Sequence, residues 1–150
     1  MVILKPSRPK PSSLEEQTYL ELLRTTDRLT RGAAGVLKAE ELSSTQYNVL
    51  RILRGAPEGL ACGEIGRRLI TREPDITRLL DRMEKRDLIS RAREIKDRRT
   101  VLTRITKTGL DLVNRLDEPV QAIHKQQLGH MSRERLHTLA DLLREARREG

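Results

Sequence analysis

Three basic side chains in the middle of this 150-residue chain fall at a spacing that sets them on one face of a helix: Arg78, Arg82 and Lys85, at i, i+4 and i+7. Such a row can contact phosphate oxygens, and an arginine can also give paired hydrogen bonds to guanine O6 and N7. Bond-making chemistry is poorly provided for. His124, His130 and His137 are six and seven residues apart, and Cys62 is the one cysteine. The chain has no HExxH, CxxC, GxSxG or glycine-rich phosphate loop. His130 and His137 could share a helix face as metal ligands, but solvated histidines are the simpler reading. No enzyme activity, cofactor or metal is expected.

Charge is concentrated where the basic row lies. Of the formal +8, the stretch from Arg67 to Lys107 contributes +7, with fourteen Lys or Arg against seven Asp or Glu. Lys5, Arg8 and Lys10 add three more with no acid among the first thirteen residues. A basic field confined to one segment suits a polyanion. A membrane surface fits poorly, because no segment sets a broad apolar face against a basic, acid-poor one, and no run reaches the roughly 18 apolar residues of a membrane span. An RNA- or ribosome-associated basic protein is the alternative. With no Phe or Trp and only Tyr19 and Tyr47, however, the chain lacks platforms on which single strands stack. Double-stranded DNA is the expected partner. A single cysteine excludes an internal disulfide and no signal peptide is evident, so a reduced, cytoplasmic setting is expected.

The basic row needs rigid elements to position it. Ser13-Leu14-Glu15-Glu16 has capping-box spacing and opens a long helix to about Leu37, with Leu22, Leu29, Ala33 and Val36 near one side and Leu23 beside them. Ser43-Ser44-Thr45-Gln46 is a second capping box, with Leu42 and Tyr47 at the two positions of a hydrophobic staple. That helix ends at Gly55-Ala56-Pro57-Glu58-Gly59. Leu60 and Ala61 suit a short bridge of strand, and Gly63 to Leu69 a short helix. After a break at Ile70-Thr71, Ile76, Leu79, Leu80 and Met83 form a core stripe at i, i+3, i+4 and i+7. Two short helices with a tight break, the second presenting cations outward, make a helix-turn-helix. Leu88 to Ile95 and Thr100 to Thr106 then read as two strands, with Lys96-Asp97-Arg98-Arg99 as a charged hairpin tip. A basic hairpin behind a basic helix is a wing, suited to the backbone or the minor groove while the helix occupies the major groove. Thr106 caps a helix to about Gly129 that Pro119 should bend, and Ser132 caps a last one bearing Leu136, Leu139, Leu143 and Ala146. The long helices carry more apolar surface than the middle of the chain can cover, so a homodimer is expected.

This order of elements resembles the MarR family of bacterial and archaeal regulators, from about Tyr19 to the C-terminus. The resemblance rests on the runs 42–50 (LSSTQYNVL) and 64–69 (EIGRRL). Its most specific part is 76–84 (ITRLLDRME), 88–91 (LISR), 97–99 (DRR) and 105–109 (ITKTG). It implies a homodimer held by the terminal helices on a palindromic operator, one recognition helix per half-site. It also implies an ion pair from Asp97 that braces Arg99 as that arginine enters the minor groove. Relatives of this kind are commonly repressors relieved when a small phenolic or other aromatic effector binds between the dimer and DNA lobes, or when a cysteine is oxidised. The peroxide-sensing branch carries its cysteine near the start of the first helix, where this chain has none. A thiol sensor would have to use Cys62, at the first turn of a short helix.

The expected architecture is mainly α with a small β-hairpin wing. Residues 1–12 read as a basic flexible tail, 13–41 and 107–150 as dimerisation helices, and 42–106 as the winged helix-turn-helix, in one intertwined domain. The residues expected at DNA are Arg72, Glu73, Asp75, Thr77, Arg78, Arg82, Lys85, Arg98 and Arg99, with Asp97 bracing the wing. Two departures from the family pattern stand out. The recognition helix should open with Thr71-Arg72-Glu73-Pro74-Asp75, where relatives often have small polar and basic residues. Carboxylates there suit the helix dipole and can accept from cytosine N4, but repel phosphate, and Pro74 suits a first turn. Ala61 stands where Ser or Thr often caps the preceding helix, which should loosen its start by about 1 kcal/mol.

Overall fold

Short side chains start most of the helices. The computed structural model describes residues 10–148; Lys5, Arg8 and the rest of the expected tail through residue 9, together with 149–150, lie outside the described residues. Within them run α1 (Leu14–Lys38), α2 (Ser44–Arg54), β1 (Leu60–Ala61), α3 (Cys62–Arg68), α4 (Ile76–Lys85), β2 (Ile89–Arg93), β3 (Val101–Ile105), α5 (Lys107–Leu128) and α6 (Arg133–Ala146). Mainly helical with a small antiparallel sheet, this is the expected class. Ser43 Oγ accepts from the Gln46 amide at 3.1 Å while the Gln46 side chain accepts from the Ser43 amide at 3.0 Å, so the second capping box forms in full. At Ser13 only half of such a box is present. The hydroxyl accepts from the Glu16 amide at 3.0 Å, but it is Gln17 that reaches back, donating to the Ser12 carbonyl at 3.1 Å. Thr106 and Ser132 cap α5 and α6 by the same side-chain acceptance. Ala61 offers α3 no side-chain cap.

The chain divides into two compact units, Met1–Arg31 and Gly32–Gly150. In the first, α1 leaves Leu14, Tyr19, Leu20, Leu22 and Leu23 exposed. The second holds the core, built from Leu37, Leu42, Val49, Leu50, Leu53, Ile65, Leu80, Met83, Leu88, Ile89, Leu112, Val113, Leu116 and Val120. Tyr47 packs partly buried against it, as its place in the staple predicts, and burial raises its phenol above the usual range despite the opposing charge of Arg51. Leu112 joins Val113, Leu116 and Val120 in the core, because the buried face of α5 is wider than a single stripe. On α6 no residue is buried, and Leu142 is exposed.

The strands lie in the order β1-β3-β2, all antiparallel. β2 and β3 are the arms of the hairpin, in register from Ile89 opposite Ile105 to Arg93 opposite Val101. β1 adds to β3 through Leu60 opposite Thr103. This third strand ties the base of the hairpin to the start of α3.

Candidate nucleic-acid interface

α4 carries the apolar stripe read from the sequence. Leu80 and Met83 are fully buried, and Ile76 and Leu79 pack partly buried against the core. With that face fixed inward, Thr77, Arg78, Arg82 and Lys85 are exposed. One expectation needs correction. Residues 71–75 do not form the first turn of α4, so Pro74 stands just outside the helix. Asp75 is the capping residue, its carboxylate accepting from the Arg78 amide at 3.1 Å, and Glu73 accepts from the Asp75 amide at 3.1 Å. Both acids thus satisfy backbone donors at a helix start, which offsets part of their repulsion toward phosphate. Arg72 is exposed in the same connection, and the Ile70 amide is held by Asn48 Oδ1 at 2.9 Å.

The hairpin tip is tightly held. The Glu94 amide donates to the Thr100 carbonyl at 2.8 Å and the Thr100 amide to the Asp97 carbonyl at 3.0 Å. Arg93 Nη1 donates to the Arg98 carbonyl at 2.8 Å. Here the expected Asp97–Arg99 ion pair is corrected: no such pair occurs among the described residues. Asp97 instead accepts from the Arg99 amide at 3.0 Å and from the Thr100 hydroxyl at 3.4 Å, closing an Asx turn. A carboxylate two residues before an amide reaches that amide more readily than the end of a long side chain that solvent draws outward. Lys96, Arg98 and Arg99 are therefore exposed on a fixed loop.

Acids in the basic segment are engaged elsewhere. Arg91, on β2, donates from Nη2 to Asp81 at 2.5 Å and to Glu84 at 3.1 Å, and its amide donates to Glu84 at 3.0 Å. The hydrogen bond from Arg91 holds the Glu84 carboxyl below the usual range, and Glu84 and then Asp81 raise the arginine further. This staple joins the wing to α4, and its arginine is only 22% exposed. On α3, Glu64 pairs with Arg67 at 2.6 Å and Arg68 at 2.9 Å. What is left is Arg72, Arg78, Arg82, Lys85, Lys96, Arg98 and Arg99, exposed cations whose side chains make neither an ion pair nor a hydrogen bond among the described residues, unlike Arg86 and Arg93, which donate to backbone carbonyls. They span α4, the connection before it and the hairpin tip.

The sequence reading missed Arg91, Arg93, Asn48 and Arg86. Arg86 donates to the carbonyls of Glu40 at 3.0 Å and Glu41 at 2.7 Å, anchoring the end of α4. Asp81 and Glu84 sit in sequence among Arg78, Arg82 and Lys85, so their spacing gives no signal that Arg91 is their partner. Behind this face Arg54 makes a bidentate pair with Asp117 at 2.7 and 3.0 Å and bonds Asn114 at 2.8 Å, joining α2 to α5. His124, His130 and His137 are exposed, and no group of three or more metal-binding side chains occurs among the described residues. Cys62 is the first residue of α3, half-buried against the core. No helix is long and apolar enough to cross a membrane among the described residues.

Comparison with known proteins meets this geometry. The model of the MarR family matches residues 42–101, from the start of α2 into β3. The crystal structure of a MarR transcription factor from Planctomyces limnophilus is 41% identical, covers 90% of this chain and 98% of its own, and has a TM-score of 0.69. The homoprotocatechuate degradative operon repressor of Escherichia coli is 28% identical over 73% of this chain and 74% of its own. The transcriptional repressor CouR, solved bound to a 23-mer DNA duplex, is 26% identical, covers 95% of this chain and all of its own, and has a TM-score of 0.80.

Proposed function

The chain belongs to the MarR family and is a DNA-binding transcriptional regulator rather than an enzyme; from that premise we propose that it is a repressor acting as a homodimer on a palindromic operator. Each α4 lies in the major groove of a half-site, where Arg78 and Arg82 read base edges and Thr77, Arg72 and Lys85 contact bases or phosphates. Asp75 and Glu73 order the helix start and are free on their remaining lone pairs to accept from cytosine N4. Arg98 and Arg99 place the wing along the adjoining minor groove, with Asp97 holding the turn. One observation carries this reading: the unpaired cations of α4 and the tip are exposed while Asp81 and Glu84, the two acids within α4, are tied down by Arg91. Dimerisation is supported by the exposed leucines of α1 and, separately, by an α6 with no buried residue.

For effector, we propose a small phenolic or other aromatic compound. The support is the Escherichia coli relative named for an operon that degrades homoprotocatechuate, itself a phenol. Relief of repression follows if the effector favours a form of the protein that does not fit the operator.

Selection of binding sites from randomised duplexes, followed by mobility shifts, tests the proposal. The expected product is a palindrome with half-site centres about 10 base pairs apart, bound with an affinity that falls by about 0.9 log units per phosphate neutralised for each log unit of salt. Sedimentation at micromolar concentration should give about twice the 17.2 kDa chain mass. A monomer there, or a preference for single-stranded RNA over any duplex, would overturn it.

A further inference from the structure

Ile95 is 94% exposed, against 86% for Ile70 and 74% for Leu14, the next most exposed large apolar residues among those described. It belongs to neither terminal helix but to the hairpin tip. Nor does it sit on slack chain. The Glu94–Thr100, Thr100–Asp97 and Arg99–Asp97 bonds and the Arg93 reach to the Arg98 carbonyl close the loop around it. The frame therefore holds an isoleucine in solvent between the strand end and Lys96, with Arg98 and Arg99 beyond. Its β-branch leaves it stiff, so little rotamer freedom is lost when it meets a surface.

From this setting we propose that Ile95 is a specificity residue, an apolar contact that enters the minor groove and favours A·T over G·C at the step it touches. The inference rests on the operator-binding reading above. Charge complementarity identifies the occupant: at the tip Lys96, Arg98 and Arg99 outnumber Glu94 and Asp97, and a net cationic tip bearing one aliphatic side chain matches a groove with phosphate walls and sugar C–H lining. The floor of that groove decides the sequence. A·T pairs present only acceptors there, whereas G·C adds the guanine N2 amino donor. An aliphatic group pressed against that donor takes away its water and returns no hydrogen bond, so G·C is penalised. Arg98 and Arg99 respond to groove width and potential, whereas Ile95 responds to the amino group itself.

The test uses the full-length protein and the selected operator. Each A·T pair outside the bases whose preference Arg78→Ala relaxes is changed in turn to G·C or to I·C, inosine being guanine without the N2 amino group. The wild type should lose roughly tenfold in affinity for G·C at one such position in each half-site and keep its affinity for I·C. In Ile95→Ser the G·C penalty should shrink to within about twofold, with the salt slope and the α4 base preferences unchanged; Ile95→Val should retain it. An unchanged penalty in Ile95→Ser, or equal loss for I·C and G·C in the wild type, overturns the inference while α4 selectivity leaves the regulator reading standing. Loss of all duplex selectivity, Arg78-dependent preference included, overturns both.

Discussion

Gly109, buried in the first turn of α5, sits where the wing's first strand meets the helix that follows its second. A Cβ at this position would lie 2.1 Å from the Leu88 carbonyl oxygen and 3.0 Å from Ile105 Cγ1. Real Cβ contacts essentially never come under 3.0 Å, so in Gly109→Ala the Leu88 main chain has to retreat. That carbonyl also accepts from the Thr106 amide at 3.1 Å, and Ile89, the next residue, is buried and paired with Ile105. The substitution therefore overpacks a backbone contact, at about 1–3 kcal/mol, and strains a hydrogen bond worth about 1 kcal/mol. Alanine returns about 0.5–1 kcal/mol of helix preference over glycine. The net expectation is a loss of about 2 kcal/mol, a fall of about 4–8 °C in thermal midpoint for a chain of this size. Gly66→Ala in α3 is the matched comparison: its Cβ meets only Ile76 Cδ1, at an ordinary 3.6 Å, so it should be neutral or stabilising by up to about 1 kcal/mol. Thermal unfolding by circular dichroism at one protein concentration reads both. Equal or higher midpoints for the two variants would refute the close approach at Leu88.

Three further outcomes follow from the ion pairs and the tip. Arg91→Gln should cost only about 1 kcal/mol in denaturant stability, because Asp81 and Glu84 are roughly half exposed. It should nevertheless weaken operator binding by more than that stability loss explains, since the wing loses its tie to α4 and two carboxylates face the phosphates; unchanged binding in mobility shifts would show the staple to be incidental. Asp117 has its folded value lowered, first by the hydrogen bond from Arg54. Its contribution is therefore complete above the ordinary aspartate value and lost as pH falls through the lowered one. Asp117→Asn should be less stable at pH 7 and show a shallower acid decline below about pH 4; urea curves that stay parallel between the two proteins down that range would contradict the pairing. Asp97→Ala should weaken DNA binding although it removes a negative charge from a basic tip, because the turn that fixes Arg98 and Arg99 is lost. Tighter binding would remove Asp97 from the bracing role.

Much of the fold is written in local pattern. The Ser43–Gln46 box, the Thr106 and Ser132 caps, the Ile76–Met83 stripe and the two strand runs on either side of the charged tip all involve residues within a few positions of one another. Their partners are set by helical or strand geometry, and each is found in the structure close to where spacing placed it. The outward direction of Arg78, Arg82 and Lys85 follows in turn, since burying one helix face exposes the other. The start of α4 is not legible from spacing, because Pro74 suits a first turn or the residue before a cap equally well, and the Asp75 carboxylate, by taking the Arg78 amide, decides between them. Tertiary structure alone decided the staple: Arg91 meets Asp81 and Glu84 only because β2 folds back along α4, and nothing in their spacing distinguishes a paired carboxylate from a solvated one. It also decided which cations stay free and that Ile95 stands in solvent, because pairing and exposure depend on what the rest of the chain brings alongside, and periodicity carries no record of those distant neighbours.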